Sequence, residues 1–395
     1  MYSRGWVNVE SVATPAERFA AAKKRGTHPL TTEFISQFEF GFDEFQIQAC
    51  QAVEDGKAVL VAAPTGAGKT VVGEFAAFSS LSRGKKCFYT TPIKALSNQK
   101  YFEFVERFGE DRVGLLTGDT NINSDADVLV MTTEVLRNML YANSSTLTNL
   151  GSVVMDEVHY LADKFRGAVW EEVLIHLMES VQVISLSATV SNAEEFGEWL
   201  GEVRGSTEVI VSEIRPIPLY QHVLIGNRLI DLFVEPGRVN PEILGLEREA
   251  LRRVKSPRGR RDRYGDTENR LTRADIIDKL QRENLLPAIT FIFSRAGCDA
   301  AVKQCLQAGI KLTSAEERLE IITTAQRYTQ NLAEEDLEVL GYRDWLLALE
   351  RRIAAHHAGL LPSFKGAVED LFKRGLVKAV FATETLALGI NMPAR

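Results

Sequence analysis

The strongest constraint on the fold is a set of short, uniformly apolar runs, each followed by turn residues and a helical stretch. They are Val59 to Ala62, Cys87 to Thr91, Val128 to Thr132, Ser152 to Met155 and Val183 to Ser187. A strand with one solvated face alternates apolar with polar residues; these runs do not, so they read as parallel strands covered on both faces. The segments between them, such as Val71 to Ser82 and Ile93 to Phe108, are amphipathic. That alternation builds a doubly wound parallel sheet, so the fold class is α/β. The first domain is placed at 31–213, behind an N-terminal extension at 1–30. A second α/β series opens at Ala288 to Phe293 and reaches Val377 to Ala382, placing another domain at 286–395.

Between the two lies a connector, 214–285, expected to be partly mobile. Its stretch from Arg252 to Arg263 holds seven basic residues and one acidic, with Pro257 and Gly259 breaking any helix. Either it is a solvated linker or it is an arm that contacts RNA. The rest of the composition excludes classes. With 45% hydrophobic and 25% charged residues the chain is not disordered throughout. No apolar run is long enough to span a membrane, and Met1 to Lys24 lacks the apolar core of a secretory signal, so a cytoplasmic protein is expected. Cys50, Cys87, Cys298 and Cys305 form no C-x-x-C pair, which leaves buried thiols rather than a zinc site or a disulfide framework. The formal net charge of −7 argues against a broad basic footprint for nucleic acid.

Two segments carry chemistry. Val59 to Thr70 is a buried strand, a loop containing Gly66 and Gly68, and the start of a helix. Such a loop turns backbone N–H groups inward around phosphate oxygens, and the helix N-terminus adds the positive end of its dipole. Pro64, Thr65, Gly66, Ala67 and Gly68 would line the phosphates, Lys69 would reach the β- and γ-phosphates, and the Thr70 hydroxyl would ligate magnesium. Ala63 stands where the strict pattern has glycine. The second segment, Ser152 to His159, is a buried strand ending in Asp156 and Glu157. Two acids there are costly unless a cation answers them. Asp156 and Glu157 would hold the magnesium, and Glu157 would polarise the water that attacks the γ-phosphate. His159 joins them as a catalytic candidate or is a satisfied core histidine.

Taken with Ser187-Ala-Thr189, these motifs resemble superfamily 2 helicases. Further segments resemble the superkiller-type DExH branch and its bacterial members: Phe40 to Gln46, Thr91 to Gln99, Thr117 to Asp119, Thr132 to Asn138, Phe293 to Arg295, His356 to Pro362 and Phe381 to Arg395. The resemblance implies two RecA-like domains and an ATP-dependent RNA helicase or translocase moving 3′ to 5′, with ATP and Mg2+ as cofactors. Gln46 would read the adenine edge and Phe40 would stack on the base, with Gly389 and Asn391 also on the nucleotide side and Glu384 at the interdomain cleft. Pro92, Lys94, Asn98, Thr117, Gly118, Thr133 and Arg137 would contact one strand, joined from the second domain by Ser294, Arg295 and Thr383. Ser187 and Thr189 would couple the γ-phosphate state to that grip.

Plainer roles stay open: Phe40 and Phe42 as core aromatics, Asn98 and Thr133 as helix caps, His356 and His357 as packing histidines, Arg137 and Arg295 in surface ion pairs. The implied partner is single-stranded or partly duplex RNA, with DNA as the alternative substrate and RNA-degradation machinery as a possible protein partner; a monomer is expected. An ATP-gated clamp that does not unwind is the remaining reading. The resemblance also implies further motifs after Arg395, among them an arginine finger and a ratchet domain, so the second domain reads as incomplete and the chain is expected to be a fragment with little activity alone.

Overall fold

The computed structural model describes residues 27–163, 167–188, 193–225, 228–235, 237–246, 248, 271–383, 386 and 392–394. The chain divides between Ile217 and Pro218 into two compact units.

In the first unit, β1 (Ala58–Ala62), β2 (Lys86–Thr91), β3 (Val113–Thr117), β4 (Thr120–Ile122), β5 (Val128–Thr132), β6 (Leu150–Met155), β7 (Gln182–Ser187) and β8 (Thr207–Val211) form one sheet in the order β4-β3-β5-β2-β6-β7-β1-β8. All pairings are parallel except β3 with β4. The five apolar runs are the five central strands. Successive side chains leave a strand on opposite faces, and here each face has a core. Val59, Val61, Tyr89 and Val154 pack on one side with Phe34 and Phe75; Leu60, Phe88, Val153 and Met155 pack on the other with Trp170 and Leu174. Helices cover both sides: α1 (Pro29–Ile35), α2 (Glu44–Glu54), α3 (Thr70–Ser82), α4 (Lys94–Phe108), α5 (Thr133–Tyr141), α6 (Gly167–His176) and α7 (Ala193–Arg204).

The β3–β4 edge depends on a glycine. A Cβ at Gly114 would lie 2.2 Å from the carbonyl oxygen of Asn123 and 2.8 Å from that of Ile122. Gly114→Ala is therefore expected to cost about 1–3 kcal/mol, as other overpacking substitutions do. The check is a lower urea midpoint with an unchanged slope.

The second unit contains two antiparallel pairs, β9 (His222–Ile225) with β10 (Arg228–Asp231) and β11 (Phe233–Glu235) with β12 (Arg238–Val239). Then follow α8 (Arg273–Arg282), β13 (Ala288–Phe291), α9 (Arg295–Gln307), α10 (Ala315–Thr329), α11 (Glu334–Val339), α12 (Tyr342–Glu350), β14 (Ile353–His356), α13 (Pro362–Lys373) and β15 (Ala379–Ala382). The three strands β13-β15-β14 form a parallel sheet. α8 falls inside the stretch read from sequence as connector. Its Ala274 and Ile277 are nevertheless buried with Cys298, Ala301 and Phe381, because an amphipathic face hides within its charged composition. The basic run 252–263 lies outside the described residues.

Candidate functional site

The strand order decides which loops meet. β1 lies beside β7, β7 beside β6 and β6 beside β2, so the segments that follow Ala62, Ser187, Met155 and Thr91 leave one carboxyl edge of the sheet. Ligand sites of open parallel sheets form at such an edge.

The phosphate-loop segment runs between β1 and α3. Gly66 and Gly68 hold φ of 86° and 79°, values that L side chains rarely adopt. Pro64 and Ala67 are buried, whereas Thr65, Gly66 and Gly68 are exposed. Lys69 is buried, and its Nζ donates to the carbonyl oxygens of Ala63 (2.7 Å) and Pro64 (3.1 Å). Burial pulls the Lys69 ammonium below its ordinary pKa, against the opposing charges of Glu157 and Asp156. Lys69→Met removes a charged donor worth about 1.5–3 kcal/mol, so nucleotide affinity should fall roughly 10- to 100-fold in a fluorescent-ATP titration.

Asp156 and Glu157 follow β6. Asp156 Oδ1 accepts the Glu157 backbone N–H (2.9 Å). Glu157 sits at φ 56°, in the left-handed region, and this unusual backbone turns the chain back into the 158–162 helical turn. Burial, reinforced by the neighbouring Asp156 charge, pushes the Glu157 carboxyl up to about 7. His159 Nδ1 lies 3.3 Å from Glu157 Oε2 but out of hydrogen-bonding geometry, and both atoms lack a hydrogen-bond partner. Burial lowers the His159 pKa and favours the neutral ring. Ser187 is buried with its Oγ unpartnered, and its register mate is Ala62, at the end of the strand that leads into the phosphate loop. Thr189 lies outside the described residues.

Gln46, near the start of α2, is buried, and its carboxamide makes three hydrogen bonds. Its oxygen accepts from the Asp43 N–H (2.8 Å), and Nε2 donates to the carbonyls of Ala67 and Gly68 (both 3.2 Å). Phe40 is 56% exposed and stacks on Phe42, whose ring in turn meets the edges of Phe34 and Phe38. Phe42 thus belongs to the aromatic core margin while Phe40 offers an open face.

The amino-acid pattern around this edge matches the DEAD/DEAH box helicase family over residues 43–196. A protein of Mycobacterium leprae named "Probable helicase HelY" is 57% identical over 376 residues, covering 92% of this chain and 41% of that protein. An Arabidopsis thaliana protein named "DExH-box ATP-dependent RNA helicase DExH15 chloroplastic" is 44% identical over 92% of this chain and 34% of its own length. The chain carries a DEAD/DEAH box helicase domain. It spans about two fifths or less of the length of these relatives. Among solved structures, the Mycobacterium smegmatis helicase Lhr bound to ssDNA and AMP-PNP has a TM-score of 0.57 at 25% identity, covering 92% of this chain and 42% of that one. Its similarity agrees with a RecA-like fold.

In this helicase domain the residues expected to contact a strand gather on the segments after β2, β3 and β5. The Lys94 ammonium pairs with the Asp119 carboxylate, which also accepts from Thr117 Oγ1 (3.2 Å). Gly118 between them is exposed. Thr133 is buried and donates to the Thr91 carbonyl (3.3 Å), tying α5 to the segment that continues into Pro92. Asn98 Oδ1 is buried without a hydrogen-bond partner. Arg137 lies 3.7 Å from Glu172.

In the second unit, Ser294 and Arg295 are exposed at the start of α9, and Ser294 Oγ caps that helix by accepting the Gly297 N–H. Thr383 follows β15, its N–H donating to the His356 carbonyl. His356 and His357 are buried and bound to Glu369 (2.7 Å) and Asp299 (3.0 Å), as packing histidines are. Glu384, Gly389 and Asn391 lie outside the described residues.

Two residues near this sheet edge were not singled out from sequence. Tyr89 is fully buried on β2 and donates from its hydroxyl to Asp156 Oδ2 (2.7 Å). Lys100 is buried on α4, its Nζ 3.2 Å from Thr70 Oγ1 and 2.6 Å from Glu103. Tyr89 passes for one more apolar residue of a buried run, and Lys100 for a solvated charge on an amphipathic helix. A lysine two positions after Asn98, the last strand-contact candidate of that segment, was the available signal.

Proposed function

We propose that this chain forms the ATP-binding motor part of a helicase or translocase that acts on single-stranded nucleic acid, RNA before DNA. The observation that carries the reading is the placement of Lys69, the Asp156–Glu157 pair and Ser187 on adjoining loops and strand ends of one parallel sheet edge. Lys69 would exchange its two loop carbonyls for phosphate oxygens, and Glu157, once ionised, would accept a proton from the attacking water.

Magnesium fits the donor set. Thr70 and Asp156 supply a hydroxyl and a carboxylate, and Glu157 Oε2 is a buried acid oxygen with no hydrogen-bond partner. Among the described residues no group of three or more His, Cys, Asp or Glu side chains could hold a metal. That agrees with an ion which keeps several waters and comes with nucleotide phosphates. Bound there, it would neutralise charge on the phosphates.

The preference for RNA draws support from the DExH relative's name, and the Lhr complex with ssDNA favours the DNA alternative; the 3′-to-5′ direction is what the resemblance implies. The test is ATP hydrolysis by the chain, and by a protein extended to its relatives' length, with poly(U) and with poly(dT), followed by unwinding of 3′- and 5′-tailed duplexes. Stimulation by poly(U) and opening of 3′-tailed RNA are expected. Stimulation by poly(dT) alone reverses the substrate assignment, and no stimulation by either polymer removes the motor reading.

A further inference from the structure

Thr70 and Asp156, the two groups placed to face a magnesium ion, are both held by side chains from a single neighbouring segment. Asp156 Oδ2 accepts the Tyr89 hydroxyl proton, and Thr70 Oγ1 lies 3.2 Å from Lys100 Nζ. Tyr89 lies two residues before Thr91, the last residue of its strand, and Lys100 lies on α4, six residues after Lys94 and two after Asn98. The intervening loop and the first turns of α4 carry Pro92, Lys94 and Asn98.

Burial makes these contacts more than incidental. A lysine ordinarily keeps its ammonium in water by extending its four-carbon stem, yet Lys100 is 8% exposed and turns its charge inward. Its carboxylate partner, Glu103, is partly solvated and is itself fixed by Gln99 (2.7 Å). Tyr89 has no exposure and one carboxylate partner, so its hydroxyl would be left unpaired if Asp156 turned away. Gly73 of α3 makes room for the ring: a Cβ there would lie 2.7 Å from Tyr89 Cε2.

We propose that Tyr89 and Lys100 are positioning residues that join the strand-contacting β2–α4 segment to the magnesium-facing groups, so that a strand on this segment alters how Mg2+-nucleotide is held. The inference rests on the function proposed above. A rigid strand and helix move as units, so a shift of the loop between them displaces the phenol and the ammonium together. By linkage, bound Mg2+-nucleotide must then change strand affinity by the same factor.

The test measures affinity of the 395-residue chain for a fluorescent ATP analogue in Mg2+ and in EDTA, with and without oligo(U) or oligo(dT). Wild type should bind more tightly in Mg2+ and more tightly still with a strand, by the roughly 5- to 150-fold range of coupled sites. Tyr89→Phe and Lys100→Met should keep their EDTA affinity within about twofold and reduce the strand-dependent tightening to less than about twofold, taking full loss of a coupling of that size as the expectation. Lys100→Arg should restore part of it. Coupling unchanged in the two variants overturns the proposal, as does an equal loss of affinity in EDTA, which marks a merely structural role. Wild type that binds no Mg2+-nucleotide sinks the functional reading and this proposal with it; wild type that is coupled, with variants that are too, sinks the proposal alone. Should Lys100→Met fail to fold by circular dichroism, Tyr89→Phe, which removes a single oxygen, decides.

Discussion

Glu157→Gln is expected to lower single-turnover ATP hydrolysis by about 10²- to 10⁴-fold, the usual contribution of a positioned general base, while nucleotide affinity stays within about threefold. The carboxamide keeps the size of the side chain and cannot take a proton. Because Glu157 already sits beside Asp156 in a half-buried site, where burial raises its pKa, the substitution also removes a like-charge repulsion, and nucleotide should bind at least as well. The measurement is hydrolysis of radiolabelled ATP by excess protein, alongside equilibrium binding of a fluorescent analogue. Hydrolysis within about tenfold of wild type would assign the base elsewhere; His159, held close to the same carboxylate, is the next candidate. If ATP binding tightens the grip on a strand and hydrolysis releases it, a strand should remain bound to the Glu157→Gln variant when ATP is present.

The second large effect is on stability. Arg352, at φ 66° between α12 and β14, is buried in the second unit. Its guanidinium donates to the carbonyls of Leu376 (2.8 Å), Leu312 (3.3 Å) and Gly375 and pairs with Glu317 (2.6 Å). Three carbonyls thus converge on one fork, which arginine can satisfy and lysine cannot. Arg352→Met leaves those acceptors and a carboxylate without their donor. Loss of one partner from a buried pair costs about 3–5 kcal/mol, and the partial exposure of Glu317 argues for the lower end, about 3 kcal/mol. A unit of this size loses roughly 2–4 °C per kcal/mol, so its melting transition should fall by about 6–12 °C. Calorimetry would read the shift, and nucleotide binding by the first unit should not move. An unchanged transition would mean the carbonyls find water instead.

The parts of the fold legible in sequence were those where one physical demand dominates. Strands such as Val128 to Thr132 are buried on both faces, so nearly every residue must be apolar, and the run announces itself. β3, with Gly114 and a short antiparallel partner at the sheet edge, is under no such demand and carried no clear pattern. α8 was hidden for another reason: Arg273, Asp275, Asp278, Lys279 and Arg282 outnumber Ala274 and Ile277, the residues that bury it. At the site, the glycine loop and the acid pair were legible because their chemistry restricts residue type at fixed spacing. Tyr89 and Lys100 were not, since a hydroxyl on a strand and an ammonium on a helix gain meaning only from what the sheet order places opposite them.

The engagement of Gln46 alters what adenine recognition by this residue would yield. Both of its donated bonds and one of the two its oxygen can accept are already made, to the start of α2 and to the phosphate loop. A base that hydrogen-bonds to this carboxamide would therefore replace existing bonds and add few, so the base itself would contribute little to affinity. The asymmetry would fall on the wrong base, which displaces the same bonds and returns fewer, leaving polar groups unmatched. Such a swap yields discrimination among nucleotides at nearly constant tightness, because only the matching base returns the bonds it displaces between the loop and α2.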